Sequence, residues 1–176
     1  MTNMGCRVSL PSVQNFLLIL LFTALVPFAA WTQRVAVAVS STESGAAQIT
    51  FSDGSKTAVP KEPGQVSITD AVIAPDGSVG WLAEFSIDGV GYPVAQELIL
   101  WQAGKPIRRF SDDQFFYSWA FYARGAQVAY HVGPLHGESK SHCELHDVAS
   151  GRLVTQWDGD LDTRNNRPAW TLGLTH

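Results

Sequence analysis

The chain has 176 residues, of which 45% are hydrophobic and 16% charged, and its net charge is −4 at pH 7. This length suits one domain, and the apolar content is too high for an intrinsically disordered chain. The acidic balance lacks the basic surface that nucleic-acid binding requires, and it gives no attraction to anionic lipid. We therefore expect no nucleic-acid partner.

The start of the chain has the three-part order of a secretory signal peptide. One basic residue, Arg7, precedes an apolar run over residues 16–26, and the small pair Ala29-Ala30 follows. The run is shorter than the ~20 residues that a membrane-spanning helix needs. We therefore expect residues 1–32 to be a signal peptide and the mature chain to be extracytoplasmic, either periplasmic or secreted. An uncleaved leader is the alternative, and it is the one membrane attachment that we predict.

Beyond the leader, the sequence repeats a strand–turn–strand pattern with a period of about 50 residues, the signature of a repeat architecture. Gly54, Gly104 and Gly151 mark one set of turns, and Gly77 and Gly125 mark a second set. Short turns that contain Gly, placed between apolar segments, predict antiparallel hairpins. Each full unit therefore has four strands, A to D, with Gly turns between A and B and between C and D.

The repeat divides residues 33–176 into two full units and one partial unit. In the partial unit, residues 34–39 are predicted to form strand B and residues 48–59 strands C and D. The predicted divisions are a partial unit at 34–59, full units at 67–110 and 115–157, and a C-terminal tail at 158–176.

Strand A of the last unit is apolar on both sides, which predicts cover on both faces. Strict alternation would place Phe115, Tyr117, Trp119 and Phe121 on one face and Phe116 on the other. The tail is expected to form a short helical turn that lays Trp170 and Leu172 over a sheet face.

The segment Ile73-Ala74-Pro75-Asp76-Gly77-Ser78-Val79-Gly80-Trp81 resembles the Pro-Asp-Gly type of WD-repeat-like bacterial β-propeller blade. Leu100-Trp101 and His146-Asp147 stand where WD repeats often have Trp-Asp. The resemblance covers residues 47 to 157, and it implies architecture rather than function, because propellers host many functions.

The number of units indicates an open assembly, since closed propellers usually have ~4–8 blades. We predict an all-β domain of two to three antiparallel four-stranded meander sheets, shaped like propeller blades, in an open stack. A β-sandwich, or a ring completed by self-association, is the alternative.

The loops between strands B and C are predicted to emerge at the same edge of the stack. They cover residues 40–46, 86–95 and 133–141, and long loops on a rigid scaffold often carry binding sites. We therefore predict a surface for a ligand or partner that includes Asp88, Tyr92, His136 and Glu138. The alternative is that these are ordinary surface loops.

Two histidines and a glutamate alternate along one predicted strand, as His142, Glu144 and His146. Alternate residues of a strand share a face, and two imidazoles with a carboxylate are an acceptable ligand set for zinc or iron. The same alternation is typical of an ordinary solvated strand face, so both interpretations stay open.

The sequence favours an exported, non-enzymatic β-repeat module that binds a protein or another ligand, or that self-associates. The alternative is a small extracytoplasmic metalloprotein or hydrolase that uses the histidine-rich hairpin 131–146. The chain shows neither a phosphate-cradling Gly loop nor a Gly-x-Ser-x-Gly motif, so we predict no cofactor and no catalytic residue.

Overall fold

Hairpins of consecutive strands make up the structure, a computed structural model that describes residues 34–103, 105–136, 141–161 and 167–174. The predicted signal peptide and the predicted site residue Glu138 lie outside these residues. The strands, in chain order, are β1 (Ala36–Ser41), β2 (Ala47–Phe51), β3 (Lys56–Val59), β4 (Gln65–Ile73), β5 (Val79–Phe85), β6 (Val94–Gln102), β7 (Lys105–Ser111), β8 (Phe115–Tyr122), β9 (Gln127–Gly133), β10 (Ser141–Asp147) and β11 (Leu153–Gly159).

The strands form three antiparallel meander sheets, in which each strand pairs with its neighbours in the chain. The first sheet has the order β1-β2-β3, the second β4-β5-β6-β7, and the third β8-β9-β10-β11. The predicted all-β class with meander sheets that do not close is confirmed. A search for membrane-spanning helices within the described ranges finds none.

Three apolar layers cover the faces of the sheets, and two of these layers join neighbouring sheets. The layer between the first and second sheets includes Ile49, Phe51, Trp81 and Ile99. A second layer joins the second and third sheets, and its members are Leu82, Ala95, Leu98, Leu100, Phe110, Phe116, Trp119, Val128, Tyr130 and Val132. The third layer covers the outer face of the third sheet. Both faces of the second and third sheets are therefore covered, as their apolar strands require.

A glycine permits a close contact between the second and third sheets. Gly80 in β5 lies beneath the indole ring of Trp119 in β8, and a Cβ atom at position 80 would lie 2.4 Å from Trp119 Cη2. The Trp119 Nε1–H donates to the carbonyl oxygen of Asp70 at 2.9 Å, so the ring is fixed over the glycine.

The predicted alternation along β8 is wrong in its first half, because the strand contains a β-bulge. Phe116 pairs with Val132 and Ser118 with His131, so Tyr117 is the extra residue. A bulge shifts the side-chain alternation by one residue. Phe116 therefore joins Trp119 in the layer toward the second sheet. The Tyr117 ring stacks instead on His131, with centroids 5.2 Å apart.

The tail covers the outer face of the third sheet with a different pair of side chains from the predicted one. A 3-10 turn at Ala169–Thr171 follows Pro168. Trp170 and the buried Leu174 pack in the outer layer with the free thiol of Cys143, whereas Leu172 is 66% exposed. The predicted contact of Leu172 is wrong because the short turn directs it away from the sheet and brings Leu174 onto it.

Candidate functional site

Glu144 in β10 is the centre of a polar network inside the layer between the second and third sheets. Its Oε2 atom lies 2.6 Å from Nε2 of His146, and its Oε1 atom lies 3.1 Å from Nε2 of His142. The Tyr130 hydroxyl donates to the same Oε2 atom. The predicted set His142, Glu144 and His146 does share one face of β10.

Neighbouring strands supply the other members of the network through their register. Tyr130 in β9 lies opposite Glu144, and Asp158 in β11 lies opposite His142. The Asp158 Oδ1 atom is 2.5 Å from Nδ1 of His142, and the Gly151 carbonyl oxygen is 3.1 Å from Nδ1 of His146. Both ring nitrogens of each histidine therefore face an acceptor within this network.

Aromatic rings seal the inner end of the network. The His146 ring stacks on Tyr130 with centroids 5.3 Å apart, and it meets Phe110 edge-on at 4.9 Å. Tyr130 also packs against Phe116. His146 and Tyr130 are consequently buried, while His142 lies toward solvent.

The electrostatics favour a charged pair at the outer end. Burial opposes the charged form of His142, but the carboxylates of Asp158 and Glu144 outweigh it and raise its pKa. Burial likewise opposes ionisation of Glu144, but hydrogen bonds from Tyr130, His146 and His142 lower its pKa. Burial and then Glu144 raise the pKa of Tyr130, which stays a hydroxyl donor.

The network is a hydrogen-bonded structure in which the predicted ligand atoms are already engaged. Among the described residues, no group of three or more His, Cys, Asp or Glu side chains is arranged to hold a metal ion. A metal at His142, Glu144 and His146 would have to displace bonds to Tyr130 and Asp158. The metal hypothesis stays a prediction.

The predicted binding loops lie on one edge of the stack. Gln65, at the start of β4, donates from Nε2 to the Gly45 carbonyl oxygen at 2.7 Å, and it pairs with Phe85 where the β5–β6 loop begins. Burial first, and the nearby Tyr92 second, raise the pKa of Tyr117 in the third sheet. The β1–β2 loop of the first sheet therefore lies against the start of β4, at the edge of the second sheet where the β5–β6 loop begins.

The structure leaves the described members of the predicted surface accessible. Asp88 and Tyr92 are exposed on the β5–β6 loop, with Tyr92 at 56%, and His136 is exposed on the β9–β10 loop. Tyr117 donates from its hydroxyl to the Pro134 carbonyl oxygen at 2.5 Å, which ties the β9–β10 loop to β8. Binding at these residues stays a prediction.

A cleft opens at the opposite edge, where the short turns of the second and third sheets meet. Its volume is about 400 Å³, and its lining includes Leu100, Trp101 and Val148. The charged side chains at its rim are Asp76, Lys105, Arg108 and Asp147.

The turns around the cleft are fixed by their own side chains. Asp76 accepts hydrogen bonds from the Ser78 amide at 2.9 Å and from its hydroxyl at 3.0 Å. Gly125, at φ +102°, packs against the same carboxylate, since a Cβ there would lie 2.4 Å from Asp76 Oδ1. Arg108 donates to the Ala149 carbonyl oxygen across the cleft. This lining is therefore held in place before any ligand arrives.

One acid at the rim, Asp147, is held in its charged form. Hydrogen bonds from Ser150, with a smaller contribution from Arg108, lower the pKa of Asp147. The Ser150 amide donates to Asp147 Oδ1 at 2.7 Å. The rim therefore presents charges of both signs above a largely apolar lining.

Sequence reasoning missed the cleft residues and two members of the network. Tyr130 and Asp158 meet Glu144 through the register of β9, β10 and β11, which a single strand pattern does not contain. The sequence contains a weak signal for the cleft, because the Asp76-Gly77 turn and Asp147 both belong to the repeat pattern. What the repeat pattern lacks is the distance between two sheets.

No protein-family model matches the chain, and no curated protein matches its sequence.

Proposed function

We propose that this protein is an exported binding module and that the cleft between the second and third sheets is its ligand site. The cleft itself is the observation that supports this proposal. Small-molecule sites are usually largely preformed clefts of ~300–1,000 Å³, mostly apolar and with a few convergent polar groups. A volume of about 400 Å³ falls within that range.

The lining favours a small amphipathic ligand that carries a charged group. Leu100, Trp101 and Val148 offer apolar surface to the body of such a molecule. Lys105 and Arg108 come from β7 of the second sheet and Asp147 comes from β10 of the third, so a cationic, anionic or zwitterionic group finds an opposite charge at the rim. The signal peptide predicted at residues 1–32 is the basis for proposing export.

The experiment is a screen of small amphipathic molecules by amide chemical-shift mapping on the purified protein. We expect the protein amide signals that shift on binding to cluster at Leu100, Trp101 and Val148. Clustering at Asp88, Tyr92 and His136 would move the site to the loop edge, and the absence of any clustered response would contradict the proposal.

A blocking variant adds a matched control. Ala126 is exposed and lines the cleft, whereas Ala169 is exposed in the tail. Ala126→Trp should fill the cleft and abolish binding of the molecules found in the screen. Ala169→Trp adds the same side chain elsewhere and should leave binding unchanged; equal effects would show that the cleft is not the site.

A further inference from the structure

β11 forms the outer edge of the third sheet. Within the described residues, β10 is the strand that pairs with it. An edge strand presents a row of backbone N–H and C=O groups that can pair with another chain, and proteins usually protect such edges with charges, prolines or bulges.

The matching edge of the second sheet, β7, is protected in this way. It carries Lys105, Arg108 and Arg109, and Arg109 forms an ion pair with Glu62 at 2.5 Å. β11 carries a single charged residue, Asp158, which is held by His142. These two outermost strands therefore differ in how strongly they resist pairing.

β11 also has a regular stretch in which a tryptophan lies at the centre. The bulge of β11 falls at Val154, and Thr155–Gly159 then pairs without interruption with β10. The Trp157 ring lies along the strand over Gly159, because a Cβ at position 159 would lie 2.1 Å from Trp157 Cζ2. The middle of this edge is therefore free of bulges, and its tryptophan is partly exposed.

We propose that β11 pairs with β11 of a second copy, antiparallel, about a twofold axis at Trp157. In this register Gln156 lies opposite Asp158 of the second copy, and the twofold axis makes the same pair twice. The two Trp157 side chains face each other, and aromatic cross-strand pairs stabilise sheets. Thr155 lies opposite Gly159, so no like charges oppose each other along the regular stretch.

This charge pattern is the reason for choosing a second copy over a foreign strand. Asp158, the single acid of the stretch, lies opposite the neutral side-chain amide of Gln156, which can donate a hydrogen bond to it. The twofold axis produces the same pair a second time with the two copies exchanged. The proposed dimer joins the two third sheets into one continuous sheet, and it leaves the cleft at the short-turn edge free. It therefore does not depend on the proposed ligand site.

The test is sedimentation equilibrium of the purified protein over a range of concentrations. We expect a reversible dimer. Gln156→Glu places like charges opposite Asp158 of the second copy twice and should weaken dimerisation about tenfold. Gln156→Lys places opposite charges there and should strengthen it. Thr57→Glu and Thr57→Lys introduce the same charges on β3, an edge strand of the first sheet, and should leave dimerisation unchanged.

Thermal unfolding of the dilute monomer separates folding from association, because Gln156 also lies opposite Glu144 within the sheet. A wild-type protein that stays monomeric at all concentrations overturns the proposal. Equal effects of the two signs at position 156, or equal effects at positions 57 and 156, also overturn it. As an independent readout, the amides of Thr155–Gly159 that face away from β10 should exchange more slowly with deuterium as protein concentration rises. Exchange at these amides that does not change with concentration speaks against β11 as the interface.

Discussion

The two layers between neighbouring sheets are built from different chemistry. Between the first and second sheets the buried cluster is apolar, with Ile49, Trp81 and Ile99 at its centre. Between the second and third sheets the apolar cluster adjoins the hydrogen-bonded network around Glu144. The two layers therefore contribute stability that depends on different conditions.

The chemistry of each layer determines how strictly it fixes the positions of its side chains. Apolar side chains gain stability in proportion to the area that they bury, with little demand on direction. The network instead needs Tyr130, Glu144 and His146 in one register, since a slip of one residue would bury unpaired polar groups. We infer that the second layer determines register more strongly, whereas the first contributes stability with less dependence on pH.

Removal of a buried side chain from the apolar layer should reduce stability most. Trp81 is 1% exposed, and Trp81→Ala should lower the free energy of unfolding by about 3–5 kcal/mol, because it leaves a cavity. Trp81→Phe should cost less, since it keeps much of the ring and removes an indole N–H that finds no acceptor among the described residues. Urea unfolding measures both; a Phe variant as unstable as the Ala variant would contradict this account.

A second effect concerns the close approach of the second and third sheets. Gly80→Ala should destabilise the protein by about 1–3 kcal/mol, because the added methyl group meets the Trp119 ring. Gly91→Ala is the control, since nothing lies within 4 Å of a Cβ at that position. Thermal unfolding compares the two variants. Equal losses of stability would show that the contact with Trp119 is not the reason that position 80 requires glycine.

A smaller effect is expected when the network loses one donor. Tyr130→Phe keeps the ring stacked on His146 but removes the hydroxyl that donates to Glu144, which should cost about 1–2 kcal/mol. Tyr92→Phe, on an exposed ring, should change stability little. Urea unfolding of the two variants decides whether the buried hydroxyl matters.

The smallest effect is a change in the pH dependence of stability. The pKa of His142 is raised above 6.5, so its contribution is complete below pH 6.5 and is lost as the pH rises through the folded-state value. The pKa of Glu144 is lowered below 4.5, so its contribution is complete above pH 4.5 and is lost on acidification through the folded-state value. The wild type should therefore be more stable than the His142→Gln variant, and the difference in stability should be largest between pH 4.5 and 6.5.

The matched variant for this pH series is His136→Gln, which removes an exposed histidine from a loop. Thermal unfolding across the pH range should show a difference from the wild type that stays small throughout. If His142→Gln gave the same flat difference, the pairing with Glu144 and Asp158 would contribute nothing to stability.

Much of the fold was open to prediction from the sequence because its signals are local. Turns such as Asp76-Gly77 separate apolar segments of strand length, and consecutive segments then pair as hairpins. The shared face of His142, Glu144 and His146 followed from simple alternation along one strand.

What the sequence did not yield depends on register or on distance between sheets. The bulge at Tyr117 has no local signature in the sequence, so strict alternation predicts the wrong sheet faces for the first half of β8. Asp158 joins the network because it pairs with His142 across two strands. The cleft is the space between turns that belong to the second and third sheets. The tail contact of Leu174 in place of Leu172 depends likewise on the exact direction of one short turn.

The meander order has a consequence for how the chain folds. Every sheet consists of strands that are adjacent in sequence, so the backbone pairings close short loops. Folding rates of small domains rise as contacts become more local. We therefore expect this domain to fold fast for an all-β protein. Each sheet can pair as soon as its own segment is available, without waiting for the C-terminal strands.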